Sequence, residues 1–266
     1  MQMAMSFVSF RFVATSRKER LRVHRDKGVR CALSKAETAG VLTEIFGTRS
    51  DAFDRKGIAM DDAGRRGRSK DLNLTYGEYD LDLFTKLLDR ASPAQGDTFL
   101  DLGSGCGRLV LAAWMLYDHW KRCFGVEIVD PLHRESIAKY GDLRQHLASS
   151  HVPCPTASVD FIMGDLNETD FSEADVVFCY STTWDSAGPV LTTLSRRLSE
   201  VLRPGTRVIT TDKMLAEICD ADGRGFQLLD QIDGSNKDTF FSTGYVWKRI
   251  DRTNLEELVP RPSPSF

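Results

Sequence analysis

The sequence predicts an α/β fold: a doubly wound, mostly parallel seven-stranded sheet that ends in an antiparallel hairpin at one edge. Three observations predict it. From residue 98 onward, short apolar runs alternate with longer amphipathic stretches. Directly after the first run comes a glycine cluster, "DLGSGCG" at residues 101–107, where a strand would hand over to a helix. Near the end, two β-rich runs follow each other with no helical stretch between them, which favours antiparallel pairing.

The elements follow in chain order. Residues 1–36 stand apart in composition; 37–92 read as a helical part, 93–258 as the α/β domain, and 259–266 as a proline- and serine-rich tail that cannot fold. Residues 35–46 suit a helix with Leu42, Ile45 and Phe46 on one face. The polar, glycine-containing stretch 47–75 is expected to form a mobile loop. A helix over 80–91 sets Leu81, Phe84, Leu87 and Leu88 at helical spacing. Strands are expected at 98–101, 123–127, 160–163, 176–180 and 207–211. Between them, helices fit 108–120, 132–147 and 190–202, the last closed by "RPG". Residues 226–233 and 239–250 supply the closing hairpin.

Composition bounds the function. A chain of 266 residues buries a full core, and its net charge of −3 argues against a wholly basic nucleic-acid binder. Within 47–75, Arg55, Lys56, Arg65, Arg66, Arg68 and Lys70 form a cationic cluster suited to a polyanionic partner. No apolar run approaches the roughly 20 residues of a bilayer span, so no membrane partner is expected. The six cysteines form no C-x-x-C pair and read as reduced thiols. His151 and Cys154 sit beside prolines in what reads as a loop, and no metal is expected. The first 36 residues are rich in Arg, Ser and small residues, the composition of an organellar transit peptide, and "VRCA" resembles a plastid processing site near Cys31–Ala32. A basic tail for nuclear import is the alternative.

Glycine after the first strand lets the chain turn sharply and lets a ligand approach the backbone. The spacing here is G-x-G-x-G, with Arg108 where a dinucleotide fingerprint has its third glycine. With Asp101 ahead of Gly103, Gly105 and Gly107, it reads D-x-G-x-G-x-G. This resembles the nucleoside-binding loop of class I S-adenosylmethionine-dependent methyltransferases. The resemblance implies S-adenosyl-L-methionine as cofactor, with Ser104 inside the loop and Asp101 near the α-ammonium. Glu127, ending the second strand in "FGVE", is placed for ribose hydroxyls. Asp165 in "IMGDL" is placed for the adenine amino group, with Leu166 covering the ring.

Two longer stretches, "TYGEYDLDLFTKLLDRASPAQGDTFLDLGSGCGRLVLAA" and "STGYVWKRIDRTNLEEL", resemble the Dot (disruptor of telomeric silencing) family of histone-lysine methyltransferases that lack a SET domain. The resemblance covers about residues 74–258 and implies that Tyr76, Gly77 and Glu78 close over the cofactor, with a helix beginning after "IDRT". It implies an acceptor channel walled by Trp184, Tyr245 and Trp247, although Tyr245 equally suits a ring buried in the edge strand. The chain departs from the family after the fourth strand: in "VFCYSTTWDS", Ser181 and Thr182 stand where an asparagine is expected, so one of them, through its hydroxyl or its backbone carbonyl, is the candidate for orienting the amine. The N/D-P-P-Y/F motif of nucleic-acid amino methyltransferases is absent too, which disfavours transfer to a base. The resulting expectation is a protein-lysine methyltransferase acting on a histone or an organellar protein. The alternatives are a small-molecule methyltransferase and a cofactor-binding module without turnover.

Overall fold

The structure, a computed structural model, describes residues 33–236 and 238–251. The expected leader, the helix start after "IDRT" and the carboxyl-terminal tail lie outside these residues, apart from the last few positions before 37. Helix α1 (Lys35–Phe46) opens on a reciprocal cap, in which the Ser34 backbone N–H donates to Glu37 at 2.9 Å and the Glu37 N–H donates to Ser34 Oγ at 3.3 Å. Helix α2 (Arg49–Arg65) follows, then α3 (Leu81–Ala91), capped by Asp80. The alternating part runs β1 (Thr98–Leu102), α4 (Arg108–Leu116), β2 (Arg122–Glu127), α5 (Asp130–Ser149), β3 (Ser158–Met163), β4 (Val176–Cys179), α6 (Thr192–Val201) and β5 (Arg207–Thr211). It closes with the long hairpin β6 (Arg224–Asn236) and β7 (Phe240–Asp251).

The expected mobile loop over 47–75 is therefore mostly helix. Its amino terminus is satisfied by Asp51, which accepts the Thr48 N–H at 2.7 Å, and Ala59 and Ala63 are buried. Glycines at 57 and 64 and a polar surface conceal it in the sequence, because tertiary ion pairs rather than an apolar stripe hold it. Helix α4 ends four residues earlier than expected: Tyr117 turns extended, and Trp120 folds back to donate to the Ala113 carbonyl at 3.0 Å.

The seven strands lie in the order β3-β2-β1-β4-β5-β7-β6, parallel except for the pairings made by β7. β1 and β4 are buried along their whole length, as strands covered by helices on both faces must be. Alternation along β1 sends Phe99 into one core, with Phe84, Leu87, Val110 and Trp114, and Leu100 into the other, with Phe124, Phe171, Leu198 and Trp247. Strand order reverses between β1 and β4. That is the switch point of a doubly wound sheet, where diverging crossovers leave a crevice at the carboxyl ends of the strands.

Candidate functional site

A cavity of about 260 Å³ occupies that crevice. The ends of β1, β2 and β4 form its floor, with Asp101 in the last part of β1, Gly103, Ser104 and Gly105 after it, and Glu127 at the end of β2. Gly164, Asp165 and Leu166 follow β3, Trp184 follows β4, and the segment 73–79 covers the opposite side. Tyr76, Glu78 and most of the other residues predicted for the cofactor thus line one space. Gly107 does not. It caps α4 at φ +84°, and a Cβ there would stand 2.6 Å from the Phe161 ring and 2.9 Å from Ser136 Cβ, so this glycine serves helix–sheet packing.

The other glycines make room in an unforeseen way. Gly105 has φ +53°, and a Cβ on it would stand 2.6 Å from Cε2 of Tyr76. The missing side chain admits the covering tyrosine ring, which then forms the cavity wall. The Tyr76 hydroxyl donates to Glu78 Oε1 at 2.9 Å and lies 3.0 Å from the Cys106 sulfur, whose thiol burial pushes up to about 12. Glu78 is in turn held by Arg55 of α2, which spends its guanidinium on Glu78 at 3.2 Å, Glu135 at 2.8 Å and the Phe46 carbonyl at 2.8 Å. The covering segment is thereby tied to α2 and α5.

Three acids give the cavity its electrostatic character. Burial, and then the neighbouring Glu127 charge, push the Asp101 carboxyl up to about 8, and no group among the described residues donates a hydrogen bond to it. Burial also raises Glu127, while the N–H groups of Val129 and Gly105, each at 2.7 Å, work against that rise. Each Glu127 oxygen keeps a lone pair for a further donor. One oxygen of Asp165 accepts from the Asn167 backbone and side chain, both at 2.8 Å, leaving the other for a ligand. Ser104 Oγ is buried with no partner among the described residues. Leu109, Leu132 and Leu166 supply apolar wall. A ligand with an ammonium group, paired hydroxyls and a flat ring fits this set of unfilled polar atoms.

A second cavity of about 190 Å³ adjoins the first. Phe53 and Lys56 of α2, Thr182, Thr183, and Asp238 and Thr239 at the hairpin tip line it. Of the candidates for acceptor chemistry, Ser181, Tyr245 and Trp247 line neither cavity, and Thr182 lines the second. Ser181 is fully buried: its Oγ donates to the Thr211 carbonyl at 2.9 Å and accepts the Thr211 N–H at 3.0 Å, so it stitches β4 to β5. Thr182 reaches the second cavity, but its hydroxyl donates to Asp212. Tyr245 and Trp247 point to the α6 face of β7, with ring centroids 6.0 Å apart, and the Trp247 indole donates to Thr210 Oγ1 at 3.0 Å. Strand alternation decides this, since the acceptor side of β7 carries Gly244, packed on Leu87, and Val246. The residue that sequence reasoning missed is Tyr180, which lines both cavities and which "VVFCY" presents as one more strand residue.

The arginines of the cationic cluster are paired within the chain, Arg55 in the interior and Arg65, Arg66 and Arg68, at the surface, with neighbouring acids. Arg55 is 5% exposed and fully paired. Arg66 pairs with Asp62 at 2.6 Å and donates to the Ile128 carbonyl, Arg68 pairs with Asp71 at 2.6 Å, and Arg65 lies 3.5 Å from Asp62. Only Lys56 and Lys70 remain without an ion pair among the described residues.

Dinucleotide enzymes with this sheet turn helix N–H groups toward a pyrophosphate, whereas this crevice meets its ligand with carboxylates. Such a crevice, at the switch point of a seven-stranded sheet with a reversed edge hairpin, defines the class: an S-adenosylmethionine-dependent methyltransferase. The particular family follows from comparison. Residues 69–232 match the family described as "Histone methylation protein DOT1", and the chain belongs to that family. It is 27% identical over 143 residues to a "Histone-lysine N-methyltransferase, H3 lysine-79 specific" of Caenorhabditis elegans, a match covering 53% of this chain and 15% of that protein. It is 32% identical over 125 residues to a "Protein-lysine N-methyltransferase" of Saccharolobus islandicus (strain REY15A), covering 47% of this chain and 68% of that protein. Among solved structures, an RNA methyltransferase from Salinibacter ruber in complex with S-adenosyl-L-homocysteine aligns with a TM-score of 0.43 at 23% identity, over 70% of this chain and 98% of that one.

Proposed function

We propose that this protein methylates a lysine side chain of a protein acceptor, which enters through the second cavity. One observation carries the reading: the two cavities share a wall made of residues 75–78 and Tyr180, so an acceptor side chain in one lies against a donor held in the other. When bound, S-adenosylmethionine supplies an electrophilic methyl carbon on a sulfonium. Asp101, Ser104, Glu127 and Asp165 would hold it, and the methyl it would supply would pass to the acceptor nitrogen, leaving the thioether and a proton released to solvent. The residues of this chain align the partners and keep water out. Glu78 and Asp238 line the second cavity beside Lys56 and leave its charged lining acidic by two groups to one, which suits a cationic side chain. The lysine reading is supported by the two named relatives, one acting on histone H3 lysine-79 and the other on protein lysine.

The internal pairing of the cationic cluster favours an acceptor that is not wrapped in nucleic acid. The composition of the first 36 residues supports delivery to a plastid or another organelle, with the nucleus as the alternative; a fluorescent fusion of the full chain distinguishes them. The function itself is tested by incubating the full chain and isotopically labelled S-adenosylmethionine with protein extracts. Label recovered as methyl-lysine supports the reading, and label recovered only in small molecules or other residues overturns it.

A further inference from the structure

The two cavities share a wall: segment 75–78 forms one part of it, and among the described residues Tyr180 is the only other one that lines both spaces. Tyr180 follows directly on β4, so the sheet fixes its backbone. Its ring lies 5.0 Å from that of Tyr79, and a Cβ on Gly77 would stand 3.0 Å from Tyr180 Cε1, so the covering segment closes onto the ring. Its hydroxyl accepts from Asn236 Nδ2 at 3.0 Å, and Asn236, at the end of β6, is 1% exposed. Burial pushes the phenol up to about 12, so it stays neutral near neutral pH. A phenol oxygen that accepts one hydrogen bond still holds a second lone pair and its own proton.

A nucleophilic amine must keep its lone pair for the methyl carbon, so the useful partner for it is an acceptor for its N–H groups. The Ser181 hydroxyl is buried against Thr211 and its carbonyl accepts the Trp184 N–H at 3.0 Å, while the Thr182 hydroxyl is turned to Asp212. We propose that Tyr180, anchored by Asn236, orients the incoming lysine amine by accepting one of its N–H groups at the wall the two cavities share. This rests on the lysine reading above and gives Tyr180 the role that the sequence pattern assigns to Ser181 and Thr182. The contact depends on an N–H, so it weakens as methyl groups replace hydrogens and makes Tyr180 a determinant of how many are added.

The test uses two probes of equal charge, n-butylammonium, which has N–H groups, and n-butyltrimethylammonium, which has none. Each is titrated into the full chain saturated with S-adenosylhomocysteine, for the wild type, Tyr180→Phe and Asn236→Ala. The wild type should favour n-butylammonium, and Tyr180→Phe should cut that preference by about three- to tenfold, the usual effect of one hydrogen bond. S-adenosylhomocysteine affinity is measured for each variant, so that every comparison is made at saturation. Asn236→Ala should shift the preference in the same direction by less. An unchanged preference in Tyr180→Phe overturns the inference while leaving the donor site intact. If n-butylammonium does not bind the wild type, both the inference and the lysine channel fall; if S-adenosylhomocysteine does not bind, the methyltransferase reading itself has failed.

Discussion

At the scale of the residue, Asp101 is the group whose chemistry is most changed by the fold. Its carboxyl, near 3.8 in an unfolded chain, is pushed up to about 8 by burial and by Glu127. Between these values the folded protein holds a proton that the unfolded chain has lost. Stability therefore falls as pH rises from about 4 to about 8 and levels off above that. A ligand ammonium beside Asp101 favours the ionised form, so binding S-adenosylmethionine at pH 6.5 should release a proton. Calorimetry in buffers of different ionisation enthalpy reads that release directly. Asp101→Asn should abolish it and flatten the stability profile; equal proton release in that variant would show that another group is responsible. Tyr180 carries the complementary lesson. Nothing in "CYST" distinguishes it from a core residue, and only the covering segment closing on it from a distant part of the chain gives it a site.

At the scale of the element, α2 shows where sequence reasoning stops. The alternating strands and helices, the glycine turn and the acids at successive strand ends were legible because local pattern and tertiary environment agree. α2 was not. Its stability comes from Arg55, whose side chain is 6% exposed and bridges Glu78 and Glu135, partners 23 and 80 positions away. No window of sequence contains that. β7 was located correctly, but which of its aromatics faces the acceptor depends on pairing register, and Tyr245 and Trp247 fall on the other side. Arg55→Met should destabilise the protein by on the order of 3 kcal/mol, because it strands two partly buried carboxylates. It should also raise the KM for S-adenosylmethionine by freeing Glu78 and Tyr76. Thermal melting and steady-state kinetics check both, and a variant with wild-type KM would show that the covering segment is positioned without α2.

At the scale of the whole molecule, charge and shape point to the kind of partner. The net charge is −3, and the arginines of the cationic cluster are paired with acids of the same chain. A partner held through phosphates by six such cations would lose roughly a thousandfold or more in affinity between 50 and 200 mM salt. Turnover on the protein acceptor should instead change less than about threefold over that range, and a steep decline would restore the polyanion reading. In the proposed reading, the two cavities, the segment they share and the sheet that aligns them hold a donor on one side and an acceptor side chain on the other. Its foundation is the crevice after β1. Calorimetric titration of S-adenosylhomocysteine into the full chain and into Gly105→Val tests it most directly. Saturable one-to-one binding to the wild type, lost in the variant as the added side chain displaces Tyr76, is the expected result. No saturable heat from the wild type, or equal affinity in the variant, would contradict the account.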